Sequence, residues 1–139
     1  QKISVICLRL PGVQAFGATN SWLSKVIKKA INNKDIEAYN PNGLFNNAVW
    51  IDDVIKFIDL MINNDDDKNK TFLLGAYKPM KIKNILDLIL QKSSSKSKIN
   101  YITGPNPFIL NFNKALINGF TTQSVQDILI RQISYDLEI

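Results

Sequence analysis

The 139 residues are 45% hydrophobic and carry 17 basic against 12 acidic side chains, a net charge of +5. That length suits one ordinary globular domain around one core, and no apolar run is long enough to span a membrane. There is no histidine, which removes the commonest general base and metal ligand and most hydrolase and zinc chemistry with them. The positive charge is nearly all lysine, dispersed along the chain, with Arg9 and Arg131 the only arginines. Nucleic-acid sites cluster their charge and mix in arginine and stacking aromatics, so a solvated surface is the expected role and no nucleic-acid partner is expected. The single cysteine, Cys7, cannot form an internal disulfide and suits a reducing, cytoplasmic compartment. It sits in an apolar run, where burial is the expected fate. The opening stretch lacks the long apolar segment and small-residue cleavage site of a signal peptide.

In chain order, "ISVICLRL" (residues 3–10) reads as a buried strand stopped by "PG". "SWLSKVIKKAINN" places Trp22, Leu23, Val26, Ile27, Ala30 and Ile31 on one helical face, capped by Asn20 or Ser21. "DIEAYN" alternates as a strand and "PNG" at 41–43 is a turn. "NAVWI" is strand-like and leads into a helix from Asp53 or Val54, the aspartate capping its first turn. "NNDDDKNK" is an exposed loop. Its three consecutive carboxylates, at 65–67, lack the alternating spacing and glycine of a calcium loop. "TFLLG" is a strand, "IKNILDLILQK" an amphipathic helix, "SSSKSK" a flexible link and "KINYI" a strand. A short helix is expected within 108–118, and a last one over "SVQDILIRQISYDL", where Ser124 and Asp127 resemble a capping box. Strands alternating with helices give an α/β fold with parallel pairing. The composition of the first strand suggests a piece of a larger sheet.

Two stretches then carry a resemblance. "LRLPGVQAFG" resembles the R-x-P-N/G-V-Y-G-P-G segment of extended short-chain dehydrogenase/reductases, the NAD-dependent epimerase/dehydratase family. "FNNAVWIDDVIKFI" resembles their downstream R/N-N/D-F-V-H-V-D-D-V segment, and the intervening and later stretches follow in the family's order. The resemblance implies a Rossmann-type α/β fold of which residues 1–139 are the C-terminal, substrate-binding portion. It comprises late parallel strands plus a small mixed α/β substrate subdomain, with the cofactor loop and catalytic Y-x-x-x-K lying before it. The "YKPMK" at 77–81 matches that catalytic spacing, but it follows the "TFLLG" strand, and Pro79 opposes the helix the pair would need. No catalytic residue and no metal ligand is therefore assigned.

The resemblance further implies that Pro11, Gly12 and Val13 lie under the nicotinamide ring and hold its carboxamide; a plain strand-to-helix turn is the competing reading. Gln14, Ala15 and Phe16 replace the usual Tyr-Gly-Pro. Asn46 stands where many relatives place an arginine on the nucleotide phosphate, so a lipid-linked or other sugar fits as well as a nucleotide-linked one. Lys25 and Trp22 are further substrate-side candidates, with core packing the alternative for Trp22. Trp50, where relatives have His or Tyr, is expected to be buried. The implied activity is that of an NAD(P)-dependent sugar epimerase, dehydratase or reductase of surface polysaccharide synthesis. NAD or NADP would serve the parent chain, with no tight binding to this segment alone. A non-catalytic binding module of the same fold and a basic nucleic-acid-binding domain are the rival readings. A severed sheet edge would also allow pairing between copies.

Overall fold

The computed structural model describes residues 3–64, 69–105 and 107–138. Among these the chain runs β1 (Ile6–Arg9), β2 (Gly12–Gln14), α1 (Trp22–Ile31), β3 (Ile36–Tyr39), β4 (Leu44–Phe45), β5 (Ala48–Trp50), α2 (Ile51–Ile62), β6 (Lys70–Leu73), β7 (Met80–Lys81), α3 (Ile82–Lys92), β8 (Ile99–Ile102), α4 (Asn113–Ile117) and α5 (Val125–Leu137). The strands associate in pairs: β1 with β6, β2 with β5 and β3 with β8 in parallel, and β4 with β7 antiparallel. The expected α/β class and parallel pairing are both present.

Strand β5 organises the interior. Successive strand residues point to opposite faces, and here both faces are buried. Ala48 and Trp50 belong to a core built from Leu23, Val26 and Ile27 of α1, Ile85 and Ile89 of α3, and Ile128 and Leu129 of α5. Val49 belongs to a second core with Val54, Phe57 and Met61 of α2, Phe72, Phe112 and Phe120. The described residues therefore form two cores where composition suggested one. In the second, Phe57 meets Phe72 and Phe120 edge-on, at centroid distances of 5.2 and 5.3 Å.

Local signals set most element ends. Ser21 caps α1, its Oγ accepting from Ser24 N at 3.0 Å. Ser124 caps α5, its Oγ accepting from Asp127 N and donating to the Asp127 carboxylate at 2.6 Å. Helix α2 begins at Ile51, earlier than expected, because Trp50 already has the extended backbone of an N-cap. Asp53 is thus not the cap. It lies in the first turn, buried, and its Oδ2 accepts from Gln123 N at 3.1 Å, tying α2 to the approach to α5. The 93–98 link is pinned rather than loose: Ser95 Oγ donates to Ala30 O at 2.7 Å and Lys96 N to Asn33 Oδ1 at 2.7 Å.

Two expectations are corrected at the start of the chain. Strand β1 is mostly exposed, and Cys7 is exposed with it, because its only strand neighbour among the described residues is β6 and only Leu8 reaches a core. Gly12–Gln14 is a strand, not simply a turn. At 77–81 the structure has a bend followed by strand β7, with Lys78 at φ 47, so no helix brings Tyr77 and Lys81 onto one face. The carboxylates at 65–67 lie outside the described residues. No described helix is long and apolar enough to cross a membrane.

Phe57→Ala should lower unfolding stability by about 3–5 kcal/mol, read as a fall in the urea midpoint with retained slope. An effect under about 1 kcal/mol would show that the second core does not carry the fold.

Candidate functional site

Strand β2 ends in a buried amide. Gln14 Nε2 donates to Ser21 Oγ, and Ser24 Oγ donates to Gln14 Oε1 at 3.1 Å. With Ser21 Oγ and Ser24 Oγ only 2.7 Å apart, the Ser21 hydroxyl is left to donate to Ser24. The network joins the end of β2 to the first turn of α1 and fixes the connecting loop at both ends. Gly17, at φ 75, takes the left-handed turn that the loop requires.

Two clefts open beside this network. The first, about 480 Å³, is lined by Pro11, Gly12, Val13 and residues 17–21. Gly12 is closely packed there: a Cβ would lie 3.1 Å from Ser21 Cβ and 3.2 Å from Asn47 O, so those neighbours would have to yield by a few tenths of an ångström. Its walls offer backbone groups and the side chains of Thr19, Asn20 and Ser21, a set suited to a neutral amide or hydroxyl ligand. The second cleft, about 340 Å³, is aromatic, lined by Trp22, Tyr39, Phe45, Pro105, Pro107 and Phe108 with Asn47. Trp22 packs on Phe45 at 5.1 Å between centroids. The clefts adjoin along Gly12–Asn47, where Gly12 N donates to Asn47 O at 3.2 Å, and along the consecutive residues Ser21 and Trp22.

The segment over the aromatic cleft is fastened by asparagines. Asn40 Nδ2 donates to Gly104 O at 3.1 Å and to Pro105 O at 2.6 Å. Asn46 is 2% exposed, its Nδ2 donating to Leu110 O and its Oδ1 accepting from Leu110 N. Gly104 lies so close to the Tyr39 ring that any Cβ would overlap it.

The structure thus brings Pro11, Gly12, Val13 and Trp22 to adjoining clefts. Asn46 is close by in sequence to Asn47, but both its amide atoms face Leu110. Lys25 is exposed on α1 and lines neither cleft. Trp50 is buried as expected, stacked on Tyr135 at 5.8 Å, with Arg131 over its ring at 4.1 Å and its Nε1 donating to Asp52. Sequence reasoning missed Tyr39, Phe45, Asn47 and Phe108, which come from separate segments: Tyr39 and Phe108 are brought near each other when β3 pairs with β8, and Phe45 is placed by the β4–β7 pair. Thr19 and Asn20 carried a usable signal, since they immediately precede a helix cap.

A third cleft, about 330 Å³, lies between α1 and α5 and includes Lys28, Asn32 and Asp136. Burial raises the Asp136 carboxyl above its ordinary 3.8, against the opposing pull of the Gln132 amide and Lys28. A raised folded value means that the group's stabilising contribution is complete below about pH 4 and is lost as pH rises through the folded value.

Comparison with solved structures gives the fold of the C-terminal portion of NAD-dependent extended short-chain dehydrogenase/reductases. The chain is similar to UDP-glucose 4-epimerase from Thermotoga maritima, solved with UDP-glucose, at TM-score 0.76 and 16% identity, covering 96% of this chain and 46% of that one. It is similar to UDP-glucuronic acid 4-epimerase from Bacillus cereus, solved with UDP-glucuronic acid and NAD, at TM-score 0.79 and 16% identity, over 98% and 46%. It is also similar to dTDP-glucose 4,6-dehydratase from Bacillus anthracis, solved with NAD, at TM-score 0.74 and 12% identity, over 96% and 45%. The chain spans about half the length of each. No protein-family model and no curated protein matches the sequence.

Ser21→Ala removes both the α1 cap and the acceptor of Gln14 Nε2, with an expected loss of about 1–3 kcal/mol by urea denaturation. Ser21→Thr should recover most of it. Urea midpoints of the chain and its Asp136→Asn variant should differ by a constant amount below about pH 4 and move in favour of the variant toward neutrality. A difference that moves the other way would contradict the raised carboxyl.

Proposed function

We propose that this chain is the sugar-binding portion of an NAD(P)-dependent epimerase, dehydratase or reductase that modifies a sugar for polysaccharide synthesis in the cytoplasm. The observation that carries this reading is the adjoining pair of clefts, one lined by backbone and hydroxyl groups and the other by aromatic rings. A sugar has an apolar ring face that packs on aromatics and a rim of hydroxyls that takes hydrogen bonds. A base stacks on the same surfaces, at about 1–3 kcal/mol per base.

The Pro11–Val13 cleft has the size and polarity for the nicotinamide end of a dinucleotide, which when bound takes and returns a hydride. The Thr19 and Asn20 side chains beside the Pro11–Val13 backbone are the groups that would hold it, and Trp22 and Tyr39 would position the sugar or its carrier. Neither cleft is lined by lysine or arginine, so carrier phosphates would receive hydrogen bonds without charge pairing. Asn46 enters as the brace for the segment around Leu110, and Lys25 only as a peripheral charge. In this reading the domain order is a cofactor-binding half followed by this portion, and the chain alone turns over no sugar nucleotide.

A non-catalytic binding module has one observation in its favour. The Gln14 and Asn46 amides, at two positions where the sequence departs from the family pattern, are both locked into internal hydrogen bonds. Detection of hydride transfer in the longer protein carrying this sequence would exclude it.

With UDP-glucose as the probe, binding to this chain should quench Trp22 fluorescence. The quench should persist in Trp50→Phe and vanish in Trp22→Phe. Trp22→Ala should weaken binding about 2- to 10-fold, the range of one aromatic contact. An unchanged affinity would remove the aromatic cleft from the reading.

A further inference from the structure

The cleft between α1 and α5 gathers polar groups that the protein leaves without partners. Ser24, Lys28 and Asn32 stand four residues apart, so α1 and its C-cap present them on one side of the cleft, and Asp136 of α5 lines it too. Lys28 is close enough to pull on the Asp136 carboxyl, yet the two form no ion pair, and among the described residues neither has one elsewhere. Asp136 Oδ1 accepts from Gln132 Nε2 at 2.9 Å, while Oδ2 has no hydrogen bond among the described residues. Gln132 is itself fully buried, and its Oε1 has no partner. Buried polar atoms in folded proteins are nearly always hydrogen-bonded. Burial, rather than a neighbouring acid, is also what raises the Asp136 carboxyl. Uncompensated groups collected at one cleft are the pattern of a place where packing serves something besides stability. The rest of the wall is small or apolar, with Ala18, Ile31 and the stem of Lys28.

We propose that this cleft is a second ligand site, for a small zwitterion with an aliphatic body, the chemistry of a free aliphatic amino acid. The ligand's ammonium would face Asp136, its carboxylate Lys28, and its side chain Ile31 and Ala18. A cation alone would be repelled by Lys28 and an anion alone by Asp136, so a ligand carrying both charges is the one the pair favours. The volume, about 330 Å³, is at the small end of ligand sites and suits an amino acid. Residues 17–19 line this cleft and the Pro11–Val13 cleft alike, so an occupant would bear on the loop that separates the two. Ser24 is tied to the same loop's end by its 2.7 Å hydrogen bond with Ser21. The inference rests on the α1–α5 geometry and not on the sugar reading, so the two can fail separately.

The test uses L-leucine as the probe, with binding followed by the amide NMR shifts of this chain. Saturable shifts are expected at Ala18, Lys28, Asn32 and Asp136. N-acetyl-leucine, which lacks the ammonium, and leucinamide, which lacks the carboxylate, should each bind at least about 10-fold more weakly, the cost of one charged hydrogen bond. Asp136→Asn and Lys28→Met should each lower leucine affinity by a similar factor. Unfolding would not account for these losses, because Asp136→Asn is expected to stabilise the chain toward neutral pH and Lys28 is exposed. The dispersed spectrum of each variant checks that it is folded. The proposal is overturned by the absence of a saturable shift with leucine, by a blocked derivative that binds as tightly as leucine, or by unchanged affinity in either variant.

Discussion

Strand β5 has no solvent side. Ala48 and Trp50 point into one core and Val49 into the other, so three consecutive residues hold the α1–α3–α5 layer and the α2–Phe72 layer in fixed relation. The strand pairs with β2, Gly12 opposite Ala48 and Gln14 opposite Trp50. Everything at the candidate site hangs from that pairing. Gly12 reaches Asn47 through it, Gln14 is carried to the cap of α1 by it, and Trp22 follows one residue after the cap. Loss of the β2–β5 register would separate the two clefts without touching a side chain in either.

The clefts divide their chemistry by the origin of their walls. The first is made from a tight strand–loop–helix connection, where close backbone approach leaves amides and hydroxyls as the available groups. The second is made where distant segments cross, and its walls are aromatic rings and prolines held by the Asn40 and Asn46 amides. Buried asparagine is well suited to that fastening, because one amide can both donate to and accept from the same backbone residue, as Asn46 does with Leu110. The fastenings are backbone-directed, so they shape the cleft while leaving the identity of its lining residues free to vary.

Elements with strong local signals were legible in the sequence. Helix α3 occupies the stretch 82–92 that its periodicity marks, and Ser124 with Asp127 starts α5 as the capping pattern requires. What was not legible depends on distant partners. The early start of α2 follows from the backbone of Trp50, and the role of Asp53 from Gln123, far along the chain. The exposure of β1 contradicts its composition, because an apolar run reports what a strand is suited to pack against and not whether a neighbour stands there. The same distinction explains the site. Pro11–Val13 could be found from a contiguous motif, whereas Tyr39 and Phe108 have no pattern in common until β3 and β8 pair.

The central claim is that the two adjoining clefts act as one binding site. Amide and indole NMR shifts of the chain during titration with UDP-glucose test it most directly. The account predicts perturbations that include Gly12, Asn47 and the Trp22 indole together, with the Trp50 indole unmoved. Shifts confined to the α1–α5 cleft around Lys28 and Asp136, or no saturable shift at all, would contradict it.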